Sequence, residues 1–219
     1  LNLELDSFST SKLFFSTEQV SNDTYLRVFD THLTKSQARP ENLNIMKNEV
    51  KLNLSNEKFS IDAGISAYEN LTISKDSDRY EFILTYYNFN TVLEKNYYNG
   101  AISLSSSGSN KLNNTNDLKS NIINNLTYNS NKFISDSGFD NNLSFVLKNL
   151  NSIGKNNSDY KSSPQIELLS MFEVNTSLPL IKKEEDYNNY LTPKLSFRFN
   201  PSDMKNYTNN SKIIDTGNV

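Results

Sequence analysis

The sequence contains no cysteine, no tryptophan and a single histidine among its 219 residues. Without cysteine, this stretch of chain holds no disulfide bond and no thiolate metal site, although the compartment stays open. No run approaches the ~18 uninterrupted apolar residues of a transmembrane helix. The first residues do not have the pattern of a signal peptide. Because the chain begins within a strand-like pattern and without methionine, we expect an internal piece of a longer protein.

Charge and hydropathy limit the class of protein further. The formal net charge of −3 is too small to indicate nucleic-acid binding through bulk charge. The hydrophobic content of 36% and the mean hydropathy of −0.62 are low for a compact globular core. Both values suit a membrane barrel with a polar lumen, because only every second residue of its strands has to be apolar.

The clearest pattern lies in residues 49–68. Three apolar residues alternate with polar ones before a short polar turn at residues 55–57, and five more alternate after it. A period of two gives each strand one apolar and one polar face, and the short turn pairs the strands antiparallel. Each strand is long enough for a tilted crossing of a bilayer. The alternating apolar residues are Val50, Leu52, Leu54, Phe59, Ile61, Ala63, Ile65 and Ala67.

The rest of the chain repeats this unit. We predict about ten strands in an up-and-down meander with no helix between them. The register is left open at Leu13–Phe14–Phe15 and at Leu168–Leu169, where both faces are apolar. The further strands are predicted at residues 1–5, 12–20, 80–87, 101–107, 118–126, 143–148, 166–174 and 191–199. Their predicted apolar faces carry Tyr80, Phe82, Leu84, Tyr86, Ile102, Leu104, Leu118, Ile122, Leu126, Leu143, Phe145, Leu147, Ile166, Leu168, Phe172, Val174, Leu191, Leu195, Phe197 and Phe199.

Long and shorter links alternate along the predicted meander. Bacterial outer-membrane barrels show this alternation, because their outer loops are long and their periplasmic turns are short. We therefore expect residues 55–57 to be periplasmic and residues 69–78 to lie outside. Long polar loops are predicted to begin near Asp23, Glu69, Ser107, Asn149 and Asn200, with the loops at 107–117 and 149–163 among them. Shorter connections are predicted near Ser55, Asn90, Asn129 and Pro179.

The strand charges fall mostly opposite the apolar positions, and two interpretations remain open. A soluble sandwich has one solvated sheet face, whereas a barrel has a water-filled lumen. The loop lengths and the strand count favour the barrel. Tyrosines near predicted strand ends fit an aromatic girdle at the bilayer interfaces. The strand charges are Lys47, Glu49, Lys51, Asp62, Glu167, Glu173, Lys194 and Arg198, and the tyrosines are Tyr68, Tyr80, Tyr97, Tyr98, Tyr128 and Tyr190. The residues predicted to face lipid are Val50, Leu52, Phe59, Ile61, Leu143, Phe145, Leu195 and Phe197.

No group of residues predicts chemistry, so we expect no enzyme and assign no catalytic, cofactor-binding or metal-binding residue. His32 lies beside Asp30, but no nucleophile elbow accompanies it, and a solvated loop histidine is the simpler interpretation. Asp136 and Asp140 do not have the spacing of a calcium loop. Residues 105–108 lack the second glycine and the lysine of a phosphate-binding loop, and we predict a flexible loop there.

Five short motifs in order resemble one family over nearly the whole chain. They are DTYLRVFD at 23–30, SDRYEF at 77–82, KNLN at 148–151, SLPL at 177–180 and YLTPKLSFRFNP at 190–201. Together they resemble the barrel domain of the LptD family, outer-membrane proteins that assemble lipopolysaccharide.

The resemblance implies a large β-barrel in the outer membrane of a Gram-negative cell. Such a protein receives lipopolysaccharide from a periplasmic protein bridge through an N-terminal jellyroll domain and releases it between the first and last barrel strands. An LptE-like lipoprotein plugs the lumen. Residues 1–219 would be a middle part of that barrel, an incomplete transmembrane antiparallel β-barrel without the jellyroll and the closing strands. The family's disulfide cysteines lie outside the matched part, and no gate residue transfers.

One alternative comes from another class of protein. An Asn- and Ser-rich secreted β-sandwich or solenoid that binds glycans or proteins would share the alternation, and it would fold in buffer without detergent.

Overall fold

The chain folds almost entirely into β-strands. The computed structural model describes residues 3, 5, 7–33, 40, 42–74, 78–94, 98–184 and 187–201. Ten strands form one antiparallel sheet, and two further strands pair as a separate ribbon. The strands are β1 (Thr10–Ser16), β2 (Ile45–Ser55), β3 (Phe59–Asn70), β4 (Tyr80–Glu94), β5 (Gly100–Asn113), β6 (Asp117–Ser130), β7 (Phe133–Ile134), β8 (Asp140–Lys155), β9 (Gln165–Ser177), β10 (Leu180–Lys183), β11 (Asn188–Leu191) and β12 (Lys194–Phe199).

The order of the sheet follows the chain. Its strands run β1-β2-β3-β4-β5-β6-β8-β9-β12, with β7 paired to β8, while β10 and β11 form the ribbon. This confirms the prediction of an all-β chain with successive antiparallel strands. Over the described residues the path does not close, because β1 and β12 stand at its two ends.

The chain divides into two compact units. Unit 1 comprises Leu1–Phe89, Ser106–Ile122 and Asn151–Gln165, and it contains β1, β2 and β3. Unit 2 comprises Asn90–Ser105, Ile123–Leu150 and Ile166–Val219, and it contains the ribbon and β12.

The β2–β3 hairpin of unit 1 confirms the pattern from which the sheet was predicted. Its register is continuous from Ile45 opposite Asn70 to Ser55 opposite Ser60. The turn occupies residues 56–58, one residue later than predicted. The Asn56 side-chain oxygen accepts hydrogen bonds from the backbone N–H groups of Lys58 and Phe59, both at 2.9 Å. Asparagine suits this position because its side chain replaces a backbone acceptor within the turn.

The first strand settles a register that the sequence leaves open. Leu13 lies opposite Leu52, Phe15 opposite Val50, and Phe14 opposite Lys51. Directly opposed residues in an antiparallel pair point to the same face. Leu13 and Phe15 therefore share the face of Val50. The strand ends at Ser16, four residues before the predicted end at residue 20.

Three predicted loops are partly wrong, because strands extend into them. β4 continues through residues 90–94, β5 through 107–113 and β8 through 149–155. Short polar side chains stay within these strands because they bond across to neighbouring ones. Ser109 Oγ donates to Asn121 Oδ1 at 2.8 Å, and Asn124 Nδ2 donates to Asn149 Oδ1 at 3.2 Å. The alternation of loop lengths consequently holds for the first four links and fails for the later ones, where 114–116 is short and 178–193 is long.

The prediction of a meander without helices is also wrong. Two four-residue helices, α1 (Tyr25–Val28) and α2 (Asp30–Leu33), lie between β1 and β2, where a long polar loop was expected. Asn22 Oδ1 accepts hydrogen bonds from the backbone N–H and the hydroxyl of Thr24, both at 2.8 Å, and this turns the chain into α1. Among the residues that the structure describes, no helix is long and apolar enough to cross a membrane.

The two ends of the chain also differ from prediction. The strand expected at residues 191–199 is divided by Thr192 and Pro193 into β11 and β12, since proline cannot donate to a strand ladder. The expected connection at Pro179 contains β10. Of the strand expected at residues 1–5, Leu3 and Leu5 are not in a strand, and the other three residues lie outside the described part. Residues 185–186 and 202–219 lie outside it as well.

Tyr86 lies on the face opposite to the one predicted. Its hydroxyl donates to Glu49 Oε1 at 3.2 Å, whereas Tyr80 of the same strand bonds Glu69, which shares the face of Ile65. Tyr80 and Tyr86 are six residues apart and would share a face in a regular strand, but they reach opposite faces. The alternation therefore changes phase between them. A strand changes phase in this way at a β-bulge.

Gly64 is where the ring of Tyr86 crosses β3. A Cβ atom at Gly64 would lie 2.8 Å from Tyr86 Oη and 2.5 Å from the Val50 carbonyl oxygen. Glycine is therefore required at position 64, because the Tyr86 ring and the Val50 backbone approach it so closely that no room remains for a methyl group.

We predict that Gly64→Ala lowers the free energy of unfolding of the full-length protein by about 1–3 kcal/mol, because overpacking must displace the ring or the backbone. Ser60→Ala, on the same strand and face, is the matched control and should change stability by less than about 0.5 kcal/mol. Equilibrium urea unfolding measures both. Equal stability of the two variants would show that the site accommodates a side chain.

Candidate functional site

The polar face of β2, β3 and β4 forms the first candidate site, and it lies within unit 1. Glu49 is at its centre and accepts three hydrogen bonds. Lys47 Nζ donates to it at 2.8 Å, Ser66 Oγ at 3.2 Å and Tyr86 Oη at 3.2 Å. The Lys47 ammonium also lies 5.9 Å from the centre of the Tyr68 ring. Side chains from three strands therefore meet around one carboxylate.

A second carboxylate continues this polar face toward the hairpin turn. Asp62 Oδ2 lies 2.9 Å from Lys51 Nζ and accepts a hydrogen bond from Asn53 Nδ2 at 3.0 Å. Two lysines and two carboxylates thus balance each other along β2 and β3. Such a face has mixed charge and no strong field of one sign, so it suits water and polar groups.

Unit 2 has a polar face of the same kind on β9 and β12. Arg198 pairs with Glu173 opposite it, and Ser196 Oγ donates to Asn175 Oδ1 at 2.6 Å. Glu173 also accepts a hydrogen bond from Asn175 Nδ2 at 2.5 Å. Six of the eight predicted strand charges are therefore paired, Lys47 with Glu49 and Lys51 with Asp62 in unit 1, and Glu173 with Arg198 in unit 2.

Burial is inverted between the two faces of individual strands. On β3, Ser66 is 5% exposed whereas its neighbour Ile65 is 49% exposed. On β8, Ser152 is 6% exposed and Ile153 36%, and Lys148 is 8% exposed against 36% for Phe145. A water-soluble sheet buries its apolar side and exposes its polar side. Here β3 buries Ser66 and exposes Ile65, and β8 buries Lys148 and Ser152 together with Val146 and Leu150 while it exposes Phe145 and Ile153.

Large apolar residues form the exposed face of these strands. Monomeric soluble proteins rarely expose contiguous apolar patches of this kind. Six buried apolar residues are found in the described part of the chain, too few for a conventional core in 219 residues. Three residues of the predicted lipid-facing set are exposed, namely Phe145, Leu195 and Phe197. Exposed apolar residues on the same faces of the strands are Phe15, Ile65, Ile166, Leu168 and Phe199.

The isolated candidates of the sequence do not assemble into a reactive centre. His32 is exposed in α2, and its ring centre lies 6.3 Å from that of Phe29. Asp140 pairs with Lys132 at 3.3 Å, and Asp136 is exposed. Residues 105–108 are part of β5, so the flexible loop predicted there is wrong. In the part of the chain that the structure describes, no three His, Asp or Glu side chains are grouped to hold a metal ion.

The predicted tyrosines are found near strand ends, as expected. Tyr68 lies near the end of β3, Tyr80 begins β4, and Tyr128 lies near the end of β6, where its hydroxyl donates to the Tyr98 carbonyl at 2.8 Å. Tyr190 is in the β10–β11 ribbon, while Tyr97 lies outside the described residues. The sequence did not predict the place of Tyr86 on the polar face, because the change of phase in β4 cannot be recognised in the pattern of apolar and polar residues.

Arg79 holds a second, smaller cluster where β3 ends and β4 begins. Its guanidinium pairs with Asp23 at 2.9 Å and with Glu69, and its side chain is 6% exposed. Hydrogen bonding to Asp23, followed by that to Glu69, raises the pKa of Arg79 above its usual value, so the group stays charged. The cluster ties the segment between β1 and β2 to the sheet.

Comparison with known proteins adds no relative to this picture. No protein-family model matches the chain, and no curated protein sequence matches it.

We predict that Arg79→Met loosens the segment held by Asp23 and speeds trypsin cleavage after Arg27, because Asp23 and Glu69 lose their shared partner. Limited digestion of the full-length protein followed by mass spectrometry measures this rate. Lys111→Met is the matched control, since it removes a lysine from a half-exposed ion pair with Glu81 on strands of the same unit. An unchanged rate at Arg27 in the Arg79 variant would contradict the role of the cluster.

Proposed function

We propose that this chain is part of the wall of an outer-membrane β-barrel, with its apolar face in lipid and its polar face toward a water-filled lumen. The observation that carries the proposal is the exposed apolar face, with Ile65 exposed beside buried Ser66 on β3 and Phe145 exposed near buried Lys148 on β8. Lipid satisfies an exposed apolar face without a second layer of protein, and backbone polar groups in lipid require a hydrogen-bonded sheet.

The strand lengths agree with this proposal. β2 has 11 residues and β3 has 12. At ~3.4 Å per residue, β2 extends about 34 Å, and a tilt of about 40° reduces this to a height of about 26 Å. The apolar band of outer-membrane barrels is ~25 Å tall.

Within this class we propose the wall of a translocon that inserts lipopolysaccharide into the outer leaflet. Support comes from the five ordered motifs that resemble the LptD family, and from the balanced charges of Lys47, Glu49, Lys51 and Asp62, which tolerate a sugar head group. The acyl chains would leave at a seam outside this piece. The partners would be lipopolysaccharide, an LptE-like lipoprotein in the lumen and a periplasmic bridge. This role requires no catalytic residue and no cofactor.

We predict that Leu52→Arg lowers the stability of the full-length protein in lipid vesicles by about 2 kcal/mol, because it places a charge in the apolar band near its middle. Asn53→Arg is matched in depth but lies on the polar face near Asp62, and should cost less than about 0.5 kcal/mol. Urea unfolding in vesicles measures both. Equal costs would contradict the assignment of the two faces.

The lipopolysaccharide role has its own test. A photo-crosslinking residue at Lys51 in the full-length protein should capture lipopolysaccharide in living cells, whereas the same residue at Leu52 should capture membrane lipid. Depletion of the protein should lower the lipopolysaccharide at the cell surface. Normal surface lipopolysaccharide after depletion, with no adduct at Lys51, would leave a barrel wall with a different cargo.

A further inference from the structure

The segment after β1 folds over the apolar face of β2 within unit 1. Met46 is completely buried there, in a cluster with Leu26 of α1 and Leu71. Because the β2–β3 register is continuous, Met46 lies on the same face as Val50 and Leu52.

A polar contact ties the start of the same segment to this face. Asn48 lies between Met46 and Val50 in the alternation, and its Oδ1 accepts hydrogen bonds from the Thr17 hydroxyl at 2.6 Å and from the Glu18 backbone N–H at 3.1 Å. Closer to α1, the Asp23–Arg79 pair fixes the entry of the helix. The segment therefore lies on the proposed lipid side and is held in place at two positions.

The outer side of α1 and the residue after it is apolar as well. Leu26 points to Met46, while Tyr25, Val28 and Phe29 are 42%, 65% and 43% exposed. The Tyr25 and Phe29 rings pack with their centres 4.9 Å apart. Exposed Arg27 lies between these residues. A short helix in water gains nothing from two apolar sides, so the outer side suits an apolar neighbour.

The position of α1 along the sheet identifies that neighbour. Met46 lies at the start of β2, near the edge of the apolar band. The rings of Tyr80 and Phe82, at the start of β4, stack at this same edge of the sheet with their centres 6.1 Å apart. The exposed face continues along β1 and β3 through Phe15 and Ile65, which are 70% and 49% exposed. Aromatic rings with polar tips, together with a basic residue, are typical of the boundary between lipid head groups and acyl chains.

We propose that α1 is an interfacial anchor, in which Tyr25, Val28 and Phe29 contact the head-group boundary of the bilayer at the edge of the apolar face. This inference rests on the proposed function, since it requires that face to contact lipid. Arg27 lies beside these residues and reaches the lipid phosphates. The anchor fixes the height of this end of the sheet in the membrane.

Spin labels measure the depth of each residue. The chain has no cysteine, so Val28→Cys and Phe29→Cys each introduce one site within it. Ile65→Cys at the centre of the apolar face and Ser158→Cys in an exposed loop of the same unit are the controls. In the full-length protein in bilayers, Ile65 should favour oxygen over a water-soluble nickel chelate and Ser158 the reverse. Val28 and Phe29 should give intermediate ratios.

Three results would overturn the anchor. Ratios at Val28 and Phe29 equal to that of Ser158, with Ile65 in lipid, would refute the anchor and leave the barrel wall intact. Shielding of both labels from both reagents would indicate a protein partner instead of lipid. An aqueous ratio at Ile65 would refute the proposed function itself.

A conservative variant guards against misfolding of the cysteine variants. The chain has no tryptophan, so Phe29→Trp adds one fluorophore to it while keeping an aromatic ring. Compared with the unsubstituted protein, the added fluorescence should be quenched more by lipids brominated near the head group than by lipids brominated near the chain end. No quenching by either lipid would contradict the anchor.

Discussion

Strand alternation, kept in phase across several strands, is the constraint on which the structure depends. The β2–β3 register is continuous over all its pairs, and β1 extends it with Leu13 opposite Leu52. A slip of one residue would move Leu52 to the face of Lys51 and would mix the two sets of side chains. Because no slip occurs, Val50, Leu52, Leu54 and Ile65 reach one face, and the charges of Lys47, Glu49, Lys51 and Asp62 reach the other. Glu69, near the end of β3, is the exception, since it lies on the apolar side next to Arg79.

The polar face then has to satisfy its own groups. Glu49 and Asp62 each gather partners from neighbouring strands, and the lysines of β2 neutralise them. Serine and asparagine pairs do the same without charge, as between Ser109 and Asn121. Cross-strand bonding of this kind explains how a chain with 36% hydrophobic residues forms a ten-stranded sheet.

Alternation alone does not distinguish a solvated sheet from a barrel wall, because both have one polar and one apolar face. The distinction depends on which face is buried. Burial of Ser66 and Ser152 beside exposed Ile65 and Ile153 favours the wall. The cluster around Arg79 and the α1 segment adds a boundary to the apolar face, so lipid contact would end where charges and aromatic rings begin.

Strands with clear alternation could be predicted from sequence, including the β2–β3 hairpin and the faces of β9 and β12. Strand ends rich in Asn and Ser could not be predicted, because residues such as Asn110 and Asn149 are typical of loops. In the structure these residues lie in strands and form hydrogen bonds to side chains of neighbouring strands. The α1 helix was missed because Leu26 is buried by tertiary packing against Met46, which no local pattern shows. The sequence predicted that charged residues lie on the face opposite the apolar residues. It did not predict that Tyr86 bonds Glu49 on this face, because that bond depends on the change of alternation in β4 and on the space that Gly64 leaves for the ring.

Which face of the sheet contacts lipid can be measured by comparing neighbouring residues on opposite faces. Cysteines placed singly at Leu52, Asn53, Ser60 and Ile61 in the full-length protein, in native membranes, would be treated with a charged maleimide and with a lipid-soluble photoreactive probe. We predict that Leu52 and Ile61 react with the lipid probe alone, and that Asn53 and Ser60 react with the charged reagent alone. Reaction of all four sites with the charged reagent, or an exchange of the two pairs, would contradict it.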